Sequence, residues 1–364
     1  MKAPVPFLQA INPAKTGIAA ALGSAFLFGV GAPLSKWLLV DVSPWILAGL
    51  LYLGSGVGLA IYRGLRGAAR PQLMPGELKW LVAAVACGGA VAPVLLMWGL
   101  AAMPASHAAL LLNAEAVLTA VLAWGVFKEN FDTRIAVGMA AIVVGALLLC
   151  WPAGSGANLP AASVWPALAV VLACFFWAID NNFTRKVALS DASWIACVKG
   201  LAAGVSNLAL AFSLGAALPG VGTVVSAMGV GLLAYGVSLA LFVVALRDLG
   251  TSRAGAYFST APFVGALLSV LFLAEPVTWQ LLAAAAFMAF GLCLHLTEHH
   301  AHAHQHGLLE HEHRHIHSAQ GGGDGHHAHS HVPAFMGAHS HHHRHELLNH
   351  SHAHYPDAHH RHEH

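Results

Sequence analysis

Ten apolar stretches follow one another along this chain, at about residues 16–39, 44–62, 79–102, 106–127, 133–152, 161–184, 192–214, 224–246, 252–274 and 277–296. A helix needs about 20 apolar residues to cross the hydrocarbon of a bilayer, and each stretch is close to that length. The pattern predicts ten transmembrane helices. It also repeats. Leu100 to Glu129, with Pro104, Ala105, Ser106, His107 and Ala108 near its start, is matched 146 residues later by Leu246 to Glu275, with Gly250, Thr251, Ser252, Arg253 and Ala254. A second match at an offset of 149 sets Ser43, Pro44, Trp45 and Ile46 beside Ala192, Ser193, Trp194 and Ile195, and Lys36 beside Arg185. Five spans per copy is an odd number, so the second copy enters the membrane from the opposite side. Inverted repeats of this kind build a central site in many secondary transporters.

Polar residues sharpen this picture in two ways. With the N-terminus placed inside, twelve basic residues (Lys2, Lys15, Arg63, Arg66, Arg70, Lys79, Lys128, Arg134, Arg185, Lys186, Arg247 and Arg253) fall at cytoplasmic ends and none in the opposite loops. Basic residues collect on the cytoplasmic side, so both termini are expected there, in a multi-pass protein of the inner membrane. Lys2 and Lys15 ahead of an apolar run resemble a secretory signal, but that run is about twice the usual apolar core of one and nine more spans follow, so it reads as a retained first helix. From residue 298 the character then changes: the last 67 residues hold 25 of the 27 histidines, with three basic residues against seven acidic ones. Such a tail cannot bury enough apolar surface to offset the entropy of ordering it. The domain reading is therefore residues 1–152 and 153–297 as two five-helix repeats, and 298–364 as a disordered cytoplasmic tail. The fold class is an all-α polytopic membrane protein.

Composition agrees: 57% of residues are hydrophobic and 9% charged, where an ordinary soluble domain carries about 25% charged. The formal net charge of +1 gives no reason to expect a nucleic-acid partner. The five cysteines lie in apolar spans without a CxxC pair, which reads as free, packed thiols. Phosphate loop, nucleophile elbow and zinc-hydrolase helix are all missing from the sequence, so neither ATP-driven transport nor an enzyme has a basis in it, and no cofactor is required.

The repeat just described, together with Phe28, Gly29 and Lys36 in the first span and Pro104, Ala105, Ser106, Ala108 and Glu129 in the fourth, resembles the drug/metabolite transporter superfamily of EamA type. The resemblance covers residues 16–296. It implies ten helices in two inverted halves and movement of a small solute, amino acids, nucleobases and drugs among them, without selecting one. The histidine tail lies outside the family pattern.

Ionisable groups inside hydrocarbon cost about 2.5 to 3.5 kcal/mol on insertion scales, so each asks for a partner or a task. Glu115 lies nine residues from Ser106 and twelve from Phe127, roughly 14 and 18 Å from the two ends at 1.5 Å per residue and so near the midplane. Burial penalises the charged form of a carboxyl, which suits either proton coupling or a neutral, hydrogen-bonded packing role. Asn113, some 200° away round a continuous helix, is divided evenly between cavity and helix contact. Asp180, Asn181 and Asn182 form the most polar cluster of any span, and Lys199 in the next span can meet Asp180, as gate, substrate clamp or static bridge. Tyr257 and Ser259 hold the repeat positions of Leu111 and Asn113. The GxxxG pairs Gly54 with Gly58 and Gly200 with Gly204 suit tight helix packing or a homodimer contact. In the tail, His339, His341, His342, His343, His345, His350, His352 and His354 have the spacing to chelate Zn, Ni, Co or Cu(II). The functional expectation is a secondary transporter of a small metabolite or drug-like solute, proton-coupled and outward. Alternatives are a divalent-metal transporter fed by the tail and a membrane-anchored metal store or sensor.

Overall fold

The computed structural model describes residues 13–68, 76–127, 133–151, 164–184, 191–249 and 251–296 of the membrane part, and 301–306, 309–317, 337–345 and 348–353 of the tail. The two parts are separate units, dividing after Glu298.

In the first unit the helices are α1 Pro13–Leu38, α2 Pro44–Leu65, α3 Glu77–Ala84, α4 Ala92–Ala102, α5 Ala105–Leu111, α6 Ala114–Phe127 and α7 Thr133–Cys150. They continue as α8 Trp165–Thr184, α9 Ala192–Ser213, α10 Val221–Gly231, α11 Ser238–Leu249, α12 Thr251–Phe258, α13 Ala261–Leu273 and α14 Trp279–Leu296. Among the described residues, eight helical stretches are long and apolar enough to cross a membrane, and Ala261–Leu273 and Trp279–Leu294 are shorter apolar helices. Local chemistry sets the starts. Ser43 caps α2 by accepting from the Ile46 amide at 3.3 Å with Pro44 in the first turn, and Asp191 caps α9 by accepting from the Trp194 amide at 3.0 Å. Ser43 opens the first copy of the Ser43–Ile46 repeat, and Asp191 immediately precedes the second copy, Ala192–Ile195.

Two spans expected to be continuous are interrupted, and at corresponding places in the two halves. The fourth breaks at Leu112–Asn113 between α5 and α6, and the ninth at Ser259–Thr260 between α12 and α13. The third and eighth are continuous, but each passes through a π-helical stretch, Val85–Val91 and Leu232–Val237. A π-turn leaves a backbone carbonyl free for other donors and recurs at functional sites. Hydrophobicity alone does not report such breaks, because the residues around them stay apolar.

Helix pairing follows the same correspondence: α2 packs on α9 and α7 on α14, while α1 lies against α11 and α13 as α8 lies against α4 and α6. Glycines permit the closest approaches. A Cβ on Gly200 would sit 2.8 Å from Gly56 Cα, one on Gly204 2.6 Å from the Leu53 amide, and one on Gly54 2.6 Å from Met228 Cα. The GxxxG residues therefore serve contacts within the chain, α2 to α9 and α2 to α10. None of the five cysteines is in a disulfide.

The tail unit pairs strands β1 Ala301–His306 with β4 Leu348–Ala353 and β2 Leu309–His317 with β3 Gly337–His345, both antiparallel. The sequence predicts no strands here. A two-stranded ladder by itself is marginally stable in water, so this pairing does not require the packed core that the composition cannot supply.

Candidate functional site

The π-helical stretch between α3 and α4 organises the most polar region of the membrane part. Its Gly88 carbonyl accepts from Tyr52 Oη at 3.1 Å and from Trp177 Nε1 at 3.0 Å, and the Gly89 carbonyl accepts from Asn207 Nδ2 at 2.9 Å. Gly88 is also a spacing requirement, since a Cβ there would overlap the Asp180 carboxylate. Into that space α8 brings Asp180, and α9 brings Lys199. Lys199 Nζ donates to both Asp180 oxygens at 2.6 Å, and Thr184 Oγ1 donates to Asp180 Oδ1 at 2.9 Å. Asp180 is buried and Lys199 nearly so, their side chains 7% and 18% exposed. Two buried opposite charges satisfy each other here, and removing either would strand the other.

Glu115 begins α6 just after the break in the fourth span, and its Oε1 accepts from Asn181 Nδ2 at 2.8 Å. Asn181 follows Asp180 directly in α8, so the Glu115–Asn181 hydrogen bond and the Asp180–Lys199 pair make Glu115, Asp180, Asn181 and Lys199 one polar group. The other expected site residues lie apart. Asn113 is buried, donates to the Leu110 carbonyl of its own turn at 3.0 Å and faces Met288 of α14. The break at Leu112–Asn113 replaces the continuous-helix angle between Asn113 and Glu115, yet the two still face different neighbours. Asn182 donates back to Ala178 O at 2.8 Å within α8, and Ser259, at the break, donates to Gly255 O of α12 at 2.9 Å. Tyr257 packs on the small cluster of Ala20, Ala21, Ala245 and Ala254. Of the tail histidines, His354 lies outside the described residues, and the other seven are backbone positions of β3 and β4.

A second feature lies across two tyrosines from this group. Tyr52 stacks at 5.5 Å on Tyr235, from the second π-helical stretch, and Tyr235 meets Phe28 edge-on at 5.9 Å. Phe28 and Tyr235 line a mainly apolar cavity with Gly29, Ser35, Met97 and Pro262. Ser35 is fully buried, and its hydroxyl finds no hydrogen-bond partner among the described residues. At the cavity α1 and α13 cross so closely that a Cβ on Gly29 would sit 2.8 Å from the Ala261 carbonyl.

The EamA-like transporter family model matches this sequence twice, over residues 15–151 and 164–297. The chain belongs to the EamA-like transporter family. This EamA-like transporter is 25% identical over 275 residues to an uncharacterized transporter of Methanothermobacter thermautotrophicus, across 71% of this chain and 80% of that one. It is also 26% identical over 206 residues to a probable amino-acid metabolite efflux pump of Salmonella typhimurium, across 53% of this chain and 68% of that one. A solved crystal structure shares the fold at a TM-score of 0.56 and 18% identity, covering 77% of this chain and 96% of its own. The transporter is thus a multi-pass membrane protein whose family moves solutes.

Tyr52, Trp177 and Ser35 escape a sequence reading because each is an ordinary residue for an apolar span, whereas the amide of Asn207 in such a span was a signal left unread. What marks them is the carbonyl they approach or the partner they lack. The Gly88–Gly89 pair inside an apolar stretch was the available signal.

Proposed function

We propose that this EamA-like transporter exports a small metabolite or drug-like solute by alternating access, coupled to protons, with Glu115 as the proton-carrying group and Asp180–Lys199 as the clamp that engages the solute. The observation that carries this reading is the single polar group of Glu115, Asn181, Asp180 and Lys199 on the interrupted fourth span, α8 and α9. A carboxyl that shares its surroundings with a buried ion pair links its protonation to whether that pair is closed. The aromatic and apolar cavity beyond Tyr52 and Tyr235 supplies room for an uncharged part of the solute. The efflux-pump name of the Salmonella relative supports the direction, and the basic residues at one set of loop ends support an inner-membrane protein with both termini cytoplasmic. Liposomes with an imposed pH gradient test the coupling on a panel of metabolites. Glu115→Gln should end gradient-driven flux while leaving downhill exchange of the same solute. Undiminished gradient-driven flux in that variant removes Glu115 from the role.

A second reading concerns the tail alone, as a divalent-metal buffer. Its strand register sets histidine opposite histidine at five places: His302 with His352, His304 with His350, His311 with His343, His313 with His341, and His315 with His339. Opposed positions of an antiparallel pair lie about 4.5 to 5.5 Å apart, and imidazole is a ligand suited to Zn, Ni and Cu. Ending the chain after Thr297 should abolish Ni or Zn binding and leave solute flux intact. Retained metal binding overturns the tail's part in it.

A further inference from the structure

The turn joining α4 to α5 is held from both sides by opposite charges. α4 ends at Ala102, and its last carbonyls have no helical partner. Lys36, in the last turn of α1, donates from Nζ to Leu100 O at 2.7 Å, Ala101 O at 2.9 Å and Met103 O at 3.0 Å. α5 starts at Ala105, and its first amides are equally without helical partners. The Glu275 carboxylate, from the segment between α13 and α14, accepts from the Ala105 amide at 2.6 Å through Oε1 and from the Ser106 amide at 2.9 Å through Oε2. A cation on a helix C-terminus and an anion on a helix N-terminus is the favourable arrangement for both ends. The two charges come from different halves of the family match, Lys36 from residues 15–151 and Glu275 from residues 164–297. Only the Glu275 bonds cross from one half to the other, while those of Lys36 brace the same turn from within the first half.

The clamp adjoins the cavity. Ser35, which precedes Lys36, lines the cavity, as do Leu100 from the clamped turn and Ala108 from the clamped helix. The residue before Glu275 is Ala274, at φ 50°, the one non-glycine residue with positive φ among the described residues. A β-carbon residue adopts that conformation at a cost that neighbouring contacts must offset.

We infer that Lys36 and Glu275 are gating residues, closing the cavity at the end of the bundle away from the α1 N-terminus, and that the gate opens when the Glu275 carboxylate lets go of the α5 amides. The carrier reading explains why such a gate exists, but the test needs no solute, so the two fail separately.

Ser35→Cys in the full-length chain, reconstituted in nanodiscs, reports opening through its rate of reaction with a charged methanethiosulfonate reagent, with the unsubstituted chain as baseline for the five native thiols. Ser35 is 1% exposed, so labelling of Ser35→Cys alone should be slow. Adding Glu275→Gln leaves one acceptor oxygen for two amides and should raise the rate at least tenfold. Adding Lys36→Gln should raise it through the other side of the clamp. Folded variants that label at the Ser35→Cys rate overturn the inference. Hydrogen exchange of the unsubstituted chain gives a reading that needs no folded variant. The Ala105 and Ser106 amides should exchange at least tenfold faster than amides in the middle of α2, and protection equal to α2 overturns the gate.

Discussion

At the scale of single residues, two ion pairs have different weights. The Asp180–Lys199 pair is buried, so Asp180→Ala should cost roughly 3 to 5 kcal/mol by leaving an unpaired ammonium, whereas joint replacement by Leu and Met should cost much less. Thermal unfolding of the three proteins in one detergent separates these outcomes, and equal losses would show that the pair is not desolvated. Asp191, at the start of α9, is half open to water and pairs with Arg63 at 2.9 Å. Burial alone would raise its pKa, but hydrogen bonds from Ser193, Arg63 and the Trp194 amide, with the Arg63 charge, hold it below the usual carboxylate range. A lowered folded-state pKa stabilises the fold above the unfolded value, and that contribution is lost as pH falls through the folded one. Melting temperature should thus fall on acidification below about pH 4, and Asp191→Asn should flatten that part of the curve. At neutral pH, Asp191→Ala should cost about 1 kcal/mol, mainly the lost helix cap.

At the scale of elements, the interruptions matter more than the helices. A continuous third span would keep its carbonyls for its own amides. The π-turn at Val85–Val91 instead presents Gly88 O to α2 and α8 and Gly89 O to α9, pinning three helices to one point. Gly88→Ala should therefore destabilise despite the better helix propensity of alanine, by about 1 to 3 kcal/mol of overpacking against Asp180. Gly222, in α10, has open space around its position, and Gly222→Ala should stabilise by up to about 1 kcal/mol. Comparing the two melting temperatures checks the claim, and a neutral Gly88→Ala would mean that Asp180 can move away freely.

At the scale of the whole molecule, the membrane part and the tail are different kinds of chain. With three basic and seven acidic residues, the tail carries a net of minus four when its 25 histidines are neutral and about plus 21 when they are protonated. Its attraction to anionic lipid should therefore rise steeply below about pH 6.5. Flotation of the full-length chain and of one ending after Thr297 with lipid-coated beads, at pH 5.5 and 7.5, measures this. Equal binding of both chains at the lower pH would rule out the tail as a charge switch.

The sequence by itself determined the bilayer as solvent, the doubling of the fold and the family, since apolar length, the offset of 146 and the motif residues need no tertiary contact to be seen. It also marked Glu115, Asp180, Asn181 and Lys199, because an ionisable or strongly polar side chain in an apolar span is costly wherever it ends up. Only the tertiary structure decided which of these meet. It joined Asn181 to Glu115, turned Asn182 back on its own helix and Asn113 and Ser259 back on the helices that precede them, and brought Tyr52, Trp177 and Asn207 to carbonyls that a π-turn had freed. It also gave roles to Lys36 and Glu275, which the sequence had matched to Arg185 and Glu129, residues outside the described ones, without saying what either does. The physical reason is one of range. Burial and periodicity are local properties of a chain, while a hydrogen bond between residues 170 positions apart, such as Ala105 to Glu275, depends on how helices cross.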